Sequence, residues 1–366
     1  MIKKIRSILS TLFIVFLFYS VNSQNKSDAG SIVYFTSDIS SAGVVKIFDY
    51  LKENIHGNVA IKVHFGEEGN TNFLKADLIK ELTLKLNATL VETNVLYVSK
   101  RRYTDSHIEL AKAHGFDFAP IDIMDAEGDK EISAKGCKHY KNVKVGSHID
   151  NYDSFIIFSH FKGHGSAGFG GAIKNISMGF ASVAGKMALH ASAVPSTKDN
   201  KCTRCGICVK ECPAGAISIE PLAIDTAKCI GCGKCIGECK FGAITVPWGS
   251  TAQGVFLERL VEYAKTIVEY KSNMIYINVL ANISKDCDCS RRASKPFLDD
   301  IGILASTDIV ALEKASHDLV DKAHQCGDAF LKENSVSGKN QIYYAHQLGM
   351  GDTTYVIVNI DDIIKD

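Results

Sequence analysis

The chain has 366 residues, of which 46% are hydrophobic and 22% are charged, as in an ordinary globular protein. Its 41 basic residues balance 41 acidic residues, so the net charge gives no electrostatic reason to expect nucleic-acid binding. The length predicts about two domains and leaves room for a small cysteine-rich module.

The N-terminus has the pattern of a targeting segment. Three basic side chains lie within residues 3–6, an apolar stretch covers residues 9–19, and the short side chains at 21–23 offer a cleavage point. We predict a signal peptide or an N-terminal anchor over residues 1–23, and therefore a periplasmic or membrane-associated protein. No Arg-Arg pair of the kind used to export folded cofactor proteins precedes the apolar stretch, so a cytoplasmic location remains the alternative.

Strand and helix patterns alternate along the rest of the chain. In chain order, the hydrophobic periodicity predicts a strand at 58–65, a helix at 76–86, a strand at 89–95, a helix at 106–114, a strand at 154–161, a helix at 256–270, a strand at 274–280 and a helix at 307–324. Strands that alternate with helices favour parallel pairing. The predicted fold class is α/β, with a two-lobed domain around a largely parallel sheet.

Eight cysteines between residues 202 and 239 form the most specific pattern in the chain. The first half reads C-x2-C-x2-C-x3-C-P, and each of its cysteines recurs 27 residues later, although Lys240 stands where the first half has Pro213. The run resembles that of two-cluster bacterial-type ferredoxins, in which the fourth cysteine of each half ligates the other cluster. That resemblance implies two 4Fe-4S clusters. Cluster one is assigned to Cys202, Cys205, Cys208 and Cys239, and cluster two to Cys229, Cys232, Cys235 and Cys212.

Two zinc sites or four disulfides are the alternative interpretations of these cysteines. Zinc knuckles use paired cysteines, so triplets with a distant fourth partner favour clusters. Residues 200–247, here named the cysteine module, are bounded by polar stretches and have an α/β pattern on both sides. We predict that this ferredoxin-like α+β module is inserted into one α/β domain, which it divides into residues 31–195 and 252–366.

Residues 160–190 form a second group of candidate functional residues, which begins where the strand predicted at 154–161 ends. Ligands of open α/β sheets bind at the carboxyl ends of the strands. Five glycines between residues 163 and 171 let backbone amides face an anion, and nearby histidines and lysines suit metal, phosphate or carboxylate groups. We predict a site for a small anionic substrate or a cofactor, with contacts from His160, Gly168, Gly170, Gly171, Lys174 and His190.

Further candidates carry reactive side chains. His64 ends a predicted strand and is a candidate for catalysis together with His164 and Lys174, although a satisfied structural histidine is the alternative for His64. Cys287 and Cys289 are candidates for metal binding or redox chemistry, with small buried thiols as the alternative. The remaining polar candidates are Glu92 at the same cleft, Arg101, Arg102 and His107 as surface residues or anion contacts, and Asp299 and Asp300 in a cap or turn.

Six stretches of the chain carry a family resemblance. They are Lys62-Val-His-Phe-Gly-Glu67, Val91-Glu-Thr-Asn94, Ser159-His-Phe-Lys-Gly-His164, Gly168-Phe-Gly-Gly-Ala-Ile-Lys-Asn175, Cys287-Asp-Cys289 and Asp300-Ile-Gly-Ile-Leu-Ala-Ser306. Over about residues 31–365 the chain resembles the family catalogued as domain of unknown function 362, a group of iron–sulfur-centre proteins. The resemblance is strong but names no reaction.

A second resemblance is local. His164, Lys174 and His190 stand 10 and 16 residues apart, with a Gly-Phe-Gly-Gly stretch between the first two. This order and spacing are similar to those of the lactate racemase family, which binds a nickel-pincer nucleotide. The resemblance implies a catalytic role for His164, cofactor binding by Lys174 and nickel ligation by His190, and hence an additional metal or nucleotide-type cofactor. The family's Asp-x-x-Arg-Pro segment is not evident, since Lys62-Val-His64 stands in its place.

The leading functional hypothesis is an iron–sulfur oxidoreductase. In this hypothesis the cysteine module passes electrons between a redox partner protein and a site that converts a small anionic substrate or a metal cofactor. One alternative is a non-catalytic electron carrier whose α/β part docks a redox partner. Another is a racemase-like metal-cofactor enzyme with accessory clusters.

Overall fold

The computed structural model describes residues 30–190 and 194–363. The segment predicted as a signal peptide or anchor, residues 1–23, lies outside the described residues. Within the described ranges, no helix is both long enough and apolar enough to cross a membrane. Contacts between residues group Ser31–Asp366 into one unit.

The strands and helices alternate along the described chain. The strands are β1 (Ser31–Thr36), β2 (Val59–Lys62), β3 (Thr89–Glu92), β4 (Ile121–Ile123), β5 (Asp129–Ser133), β6 (Asn142–Gly146), β7 (Ser154–His160), β8 (Lys162–His164), β9 (Gly168–Gly170), β10 (Ser196–Thr197), β11 (Ile217–Ile219), β12 (Leu222–Ile224), β13 (Ile244–Thr245), β14 (Met274–Leu280), β15 (Gly302–Ser306) and β16 (Tyr355–Asn359). The α-helices are α1 (Ser41–Phe48), α2 (Asp77–Lys85), α3 (Thr104–Ala113), α4 (Ala172–Phe180), α5 (Val183–His190), α6 (Ile207–Lys210), α7 (Lys234–Glu238), α8 (Gln253–Tyr270), α9 (Ile309–His324), α10 (Ala329–Asn334) and α11 (Lys339–Gln347).

Eight of these strands form one sheet in the order β16-β1-β15-β14-β7-β2-β3-β4. Strand β15 runs antiparallel to both of its neighbours, and the other adjacent pairs are parallel. The register places Ile156 opposite Ile61 on one side and opposite Ile275 on the other. The α/β class and the largely parallel sheet predicted from the sequence are confirmed.

Helices cover both faces of this sheet, because its central strands are apolar on both faces. Ile156 of β7 belongs to the core that also contains Ile47 of α1. The next residue, Ile157, belongs to the opposite core, with Ile176 of α4 and Leu260 of α8. Successive strand residues point to opposite faces, so β7 supplies both cores and reads in the sequence as a continuous apolar run.

The predicted elements are present, and several others are added. The strands predicted at 58–65 and 89–95 end earlier, as β2 and β3, and the last predicted helix begins after Asp308, whose carboxylate accepts two amide hydrogens. The added elements include β1, α1, β15 and β16. Residues 172–190, for which no helix was predicted from the sequence, form α4 and α5.

The cysteine module contains two small antiparallel sheets, β10-β13 and β11-β12, and the short helices α6 and α7. Ile217, Leu222, Ile236 and Ile244 form part of its apolar core. Its two halves repeat in backbone conformation as well as in sequence. Left-handed backbone angles recur 27 residues apart at Arg204 and Gly231, at Gly206 and Gly233, and at Gly215 and Gly242.

Candidate functional site

A cavity of about 290 Å³ lies at the carboxyl ends of the central parallel strands. Lys62, Glu92 and His160 are the last residues of β2, β3 and β7, and all three line it. This is the edge at which ligands of open α/β sheets bind. The cationic side chains of its wall are Lys62, Arg101, Lys162, Lys174 and Lys186.

The structure brings most of the predicted site residues to this cavity. Its wall includes His64, His160, His164, Gly170, Gly171, Lys174, His190, Cys287 and Cys289. Gly168, predicted as a cofactor contact, is not in the wall. It packs against Gly338, where an added Cβ would lie 2.3 Å from the Gly338 nitrogen, and its φ of 77° is left-handed. The structure therefore gives Gly168 a packing role.

Arg101, Arg102 and His107 are buried, with exposures of 1%, 7% and 0%. Their interpretation as surface residues was therefore wrong, whereas the alternative of an anion contact stays a prediction for Arg101, which lines the cavity. Arg101 donates to Glu67 at 3.1 Å and to Glu92 at 3.4 Å, and His107 Nε2 lies 3.2 Å from Glu92. These partners are distant in sequence, so local charge pattern could not identify them.

The carboxylate of Glu92 is ionised within this buried network. Burial opposes its ionisation, but neighbouring positive charges, including Lys62 and Arg101, hold the pKa of Glu92 well below its ordinary value. Burial and the charge of Arg101 lower the pKa of His64, so this imidazole is neutral near pH 7. His64 Nε2 lies 3.1 Å from Arg101 Nη1, and His64 Nδ1 accepts the Gly66 amide at 3.0 Å. A neutral ring that accepts at Nδ1 carries its proton on Nε2, so the contact with Arg101 Nη1 is not a hydrogen bond. The hydrogen bond at Nδ1 agrees with the structural alternative for His64.

Lys62 and Lys186 in the wall have hydrogen bonds to neutral groups, and those of Lys186 go to the Thr93 hydroxyl and the Ala181 carbonyl. Lys62 donates to the Val63 carbonyl and to Asn175, and the Glu92 carboxylate is 4.0 Å away. Burial lowers the pKa of Lys62 to about 7, although Glu92 opposes the shift. Burial also lowers the pKa of Lys186 to about 8. An anion bound in the cavity would favour the charged form of both lysines.

Sulfate, whose own charge is constant over this range, is expected to bind more tightly as the pH falls from 9 to 6. The pKa values of about 7 and 8 mean that Lys62 and Lys186 are mostly neutral at pH 9 and mostly charged at pH 6. Calorimetry at pH 8 in two buffers should therefore show proton uptake on binding. Lys62→Met should weaken binding at pH 6 by about tenfold, whereas Lys112→Met on exposed α3 surface should not. Binding that is independent of pH would contradict this assignment.

His160, which is in the wall, forms a buried pair with Asp288. His160 Nδ1 lies 2.9 Å from the Asp288 carboxylate, and its Nε2 lies 2.6 Å from the Ala281 carbonyl. Lys162 Nζ lies 3.3 Å from the same carboxylate. Burial opposes ionisation of Asp288, but His160 and Lys162 hold its pKa well below the ordinary value. The sequence predicted that His160 contacts a cofactor. In the structure both ring nitrogens are hydrogen-bonded within the chain, so His160 positions Asp288.

His164, Cys287 and Cys289 form a compact group in the wall. Their ligand atoms all lie within 4.8 Å of one another, which is close enough to share one metal ion. Lys174 Nζ lies 3.7 Å from Cys287 Sγ. Burial, with Lys174, lowers the pKa of His164 well below its ordinary value, so the ring is neutral. The group combines soft sulfur atoms, a neutral imidazole and a lysine.

His190 lies at the end of α5 between two aromatic rings. Its ring stacks on Phe256 at 5.3 Å and meets Trp248 edge-on at 4.7 Å between centroids. Burial, reinforced by Lys174 and Lys186, lowers its pKa to about 3. A neutral imidazole held in this way can offer a lone pair to a ligand. Trp248, which sequence reasoning did not single out, also lines the cavity.

The cysteine module contains two further small cavities, each bordered by four cysteines. Cys202, Cys205, Cys208 and Cys239 border one of them. Cys212, Cys229, Cys232 and Cys235 border the other. These are the two sets that the sequence spacing predicts. All eight are free thiols, and the amides of Ala216 and Ala243 point to Cys212 and Cys239 at 3.3 and 3.2 Å. A segment with this clustering of thiols is suited to binding metal.

One of the two sets faces the α/β domain. Gly233, next to Cys232, lies so close to Leu96 that an added Cβ would come within 2.6 Å of Leu96 Cδ1. Leu96 packs in the core of the module and also lines the 290 Å³ cavity. At the other set, the Tyr103 hydroxyl donates a hydrogen bond of 2.9 Å to Glu238, which borders the cavity with Cys205. We name the set with Cys232 the proximal set and the set with Cys205 the distal set.

Gly233→Ala is expected to lower the free energy of unfolding by about 1–3 kcal/mol more than Gly206→Ala does. The two glycines occupy equivalent positions in the two halves and have similar left-handed φ angles, 68° and 75°, so backbone strain is common to both variants. Only Gly233 faces a neighbour, since an added Cβ at Gly206 meets nothing within 4 Å. Urea unfolding of both variants measures the difference. Equal losses would contradict a packed contact at Leu96.

Comparison with known proteins identifies one family. A family model described as "Domain of unknown function (DUF362)" matches residues 59–318, which confirms that predicted resemblance. No curated protein matches the chain.

Two solved structures are similar to the chain at low identity. The lactate racemase apoprotein from Thermoanaerobacterium thermosaccharolyticum has a TM-score of 0.42 and 13% identity, over 79% of this chain and 57% of the racemase chain. A structural-genomics protein from Thermotoga maritima has a TM-score of 0.40 and 9% identity, over 78% of this chain and 59% of its own. The chain thus spans less than two thirds of the length of either protein.

Proposed function

The chain belongs to the DUF362 family, and we propose that it is an iron–sulfur oxidoreductase. Two 4Fe-4S clusters would pass electrons to a small anionic substrate or a metal cofactor in the cationic cavity. The arrangement that carries this proposal is the two sets of four cysteines, one of which packs against Leu96 in the cavity wall. In this proposal the module, residues 200–247, is an insert between residues 31–195 and 252–366.

The spacing of the sulfur atoms favours clusters over zinc. Four thiolates around one tetrahedral zinc ion, each at about 2.3 Å from it, must lie close to one another. In the part of the chain that the structure describes, neither set has three sulfur atoms within 4.8 Å of one another. Thiolates that each bind a different iron of a cubane are farther apart than thiolates that share one zinc ion.

We propose an electron path that enters at the distal set and leaves through the proximal set. Cys205 of the distal set is exposed, and the exposed side chains of Ile207 and Phe241 border the same small cavity. A redox partner protein could dock on this apolar rim and exchange electrons with the distal cluster. Electrons would then move to the proximal cluster and past Leu96 to the cavity.

The charge of the cavity favours an anionic ligand. Its wall has five cationic side chains, whereas Glu92 is the carboxylate that lines it and is already paired with Arg101. Lys174 lies on the cavity side of Cys287 and could bind a carboxylate or phosphate group. The neutral ring of His164 could exchange a proton with the ligand.

Anaerobic reconstitution with iron and sulfide tests the proposal. We expect about eight iron and eight sulfide atoms per chain, and dithionite should produce EPR signals from two reduced 4Fe-4S clusters. About two zinc ions per chain, with no retained iron, would contradict it.

A metal-cofactor enzyme with accessory clusters is the second candidate. The observation that favours it is the group formed by His164, Cys287 and Cys289, whose ligand atoms are close enough to hold one ion. One non-cluster metal per chain that is lost in His164→Ala would support it. If the chain binds eight irons and no ligand in the cavity, the result would instead favour the non-catalytic electron carrier.

We also propose an exported, periplasmic or membrane-associated protein, from the basic and apolar pattern of residues 1–23. Fractionation of cells that produce the full chain tests this. Recovery of the uncleaved chain in the cytoplasm alone would contradict it.

A further inference from the structure

We propose that Cys287 and Cys289 form a redox-active dithiol that accepts the electrons delivered to the cavity. This inference rests on the proposed function, because the two clusters are its source of electrons. It deepens that function by assigning the first acceptor to the protein itself, before any bound substrate. The chemical class of the couple is a dithiol and its intramolecular disulfide.

The geometry of the Cys-Asp-Cys turn brings the two thiols together in the cavity wall. Their sulfur atoms lie within 4.8 Å, and the Cys289 amide lies 3.5 Å from Cys287 Sγ. Asp288, between them, is anchored in the opposite direction by His160 at 2.9 Å. The Tyr97 hydroxyl holds the Cys289 carbonyl at 3.0 Å. The contacts of Asp288 and of the Cys289 carbonyl fix the turn, so that both thiols stay in the cavity wall.

The surroundings of the pair stabilise one thiolate. The hydrogen bond from Cys289, helped by Lys174 and Lys162 against the cost of burial, lowers the pKa of Cys287 well below its ordinary value. The same hydrogen bond, together with burial, raises the pKa of Cys289. Lys174 Nζ lies 3.7 Å from Cys287 Sγ and can stabilise a thiolate there, so we assign the one proton of the reduced pair to Cys289.

The hydrogen bonding of His164 argues against a resident metal at this pair. His164 Nδ1 accepts the amides of Ser166 at 3.2 Å and Ala167 at 3.0 Å. A neutral imidazole that accepts at Nδ1 carries its proton on Nε2. Neither nitrogen then has a lone pair to give, whereas a metal-ligating histidine usually donates from its second nitrogen to an oxygen. His164 is instead suited to donate a hydrogen bond to a thiolate or to an anion.

The two clusters can supply the number of electrons that reduction of one disulfide requires. Each reduced 4Fe-4S cluster loses one electron and returns to its oxidised state, so two clusters supply two. Those two electrons and one proton cleave the Cys287–Cys289 bond and give the Cys287 thiolate and the Cys289 thiol. In the opposite direction, oxidation of the dithiol reduces both clusters and releases that proton.

Mass spectrometry of the reconstituted protein tests the proposal without a substitution in the pair. The protein is treated anaerobically with oxidised glutathione, blocked with iodoacetamide and digested with trypsin, which releases residues 286–291 as one peptide. We expect a disulfide within this peptide. Reduction of both clusters by dithionite before blocking should convert it to the doubly alkylated form. In Cys232→Ala, without a proximal cluster, the disulfide should stay closed.

A reductive titration supplies the second measurement. The oxidised protein should take up about four electrons per chain, two for the clusters and two for the disulfide. Cys289→Ser should take up about two while keeping its iron and its EPR signals. Cys326→Ser, which removes a thiol outside the cavity wall, should still take up four.

Three results would overturn this inference and leave the proposed clusters intact. The first is full alkylation of both cysteines after oxidation, and the second is a disulfide that persists when both clusters are reduced. The third is a non-cluster metal bound to wild type and lost in Cys289→Ser. Failure to retain iron would instead overturn the proposed function, and with it the source of the electrons.

Discussion

Cys232→Ala is expected to lower the iron content from about eight to about four atoms per chain and to disconnect the cavity from the distal cluster. Cys232 belongs to the proximal set, and Gly233 beside it packs against Leu96 in the cavity wall. Among the described residues that border this set, the remaining thiols after the substitution are those of Cys212, Cys229 and Cys235. Iron and sulfide analysis, with EPR of the dithionite-reduced protein, measures the loss.

Cys205→Ala is the matched control, because Cys205 stands 27 residues earlier, at the equivalent position of the distal set. It should also retain about four irons, but they should belong to the proximal cluster. Dithionite, which is small, should still reduce that cluster and through it the acceptor in the cavity. The cluster assignment would be contradicted if either variant kept eight irons, or if both behaved alike toward the acceptor.

Arg101→Met is expected to lower the free energy of unfolding by about 3–5 kcal/mol. Arg101 is buried and pairs with Glu67 at 3.1 Å and with Glu92 at 3.4 Å. Without the guanidinium, two carboxylates remain in a region from which water is largely excluded. Urea denaturation of the anaerobic protein, followed by circular dichroism, measures the change.

Lys100→Met is the control for the neighbouring position. Lys100 pairs with Glu68 at 2.6 Å, but both side chains are well exposed, so the loss should be below about 1 kcal/mol. The difference in the free energy of unfolding between wild type and Arg101→Met should also become smaller as the pH falls. The pKa of Glu92 is depressed in the folded protein. Its pairing with Arg101 therefore stabilises the folded state above the pKa of Glu92 in the unfolded chain, and this stabilisation is lost as the pH falls and the carboxylate is protonated. Equal losses in the two variants would contradict the buried network.

Features that depend on a local sequence pattern could be predicted from the sequence. The cysteine run resembles that of two-cluster ferredoxins, and this resemblance implied which four thiols would gather around each small cavity. The buried strands β7 and β14 were recognisable as continuous apolar runs. His164, Lys174 and His190 were placed at one cavity from their position after β7.

Features that depend on distant partners could not be predicted. Arg101 looked like a surface residue because Glu67, its partner, is 34 positions away. Asp288 lies between two cysteines, and only the fold shows that His160 anchors it. Strand β15 is short and its antiparallel direction follows from its neighbours β1 and β14. Helix α4 has a helical spacing of buried residues at Ile173, Ile176 and Phe180, but it is only nine residues long and directly follows the glycine-rich stretch.

The most direct test of the account is an anaerobic crystal structure of the reconstituted protein with anomalous data collected at the iron edge. The account predicts two compact iron peaks, one among the distal set and one among the proximal set, with the proximal peak on the side of Leu96. Tetrahedral zinc peaks at the two sets, or iron at the cavity alone, would contradict it.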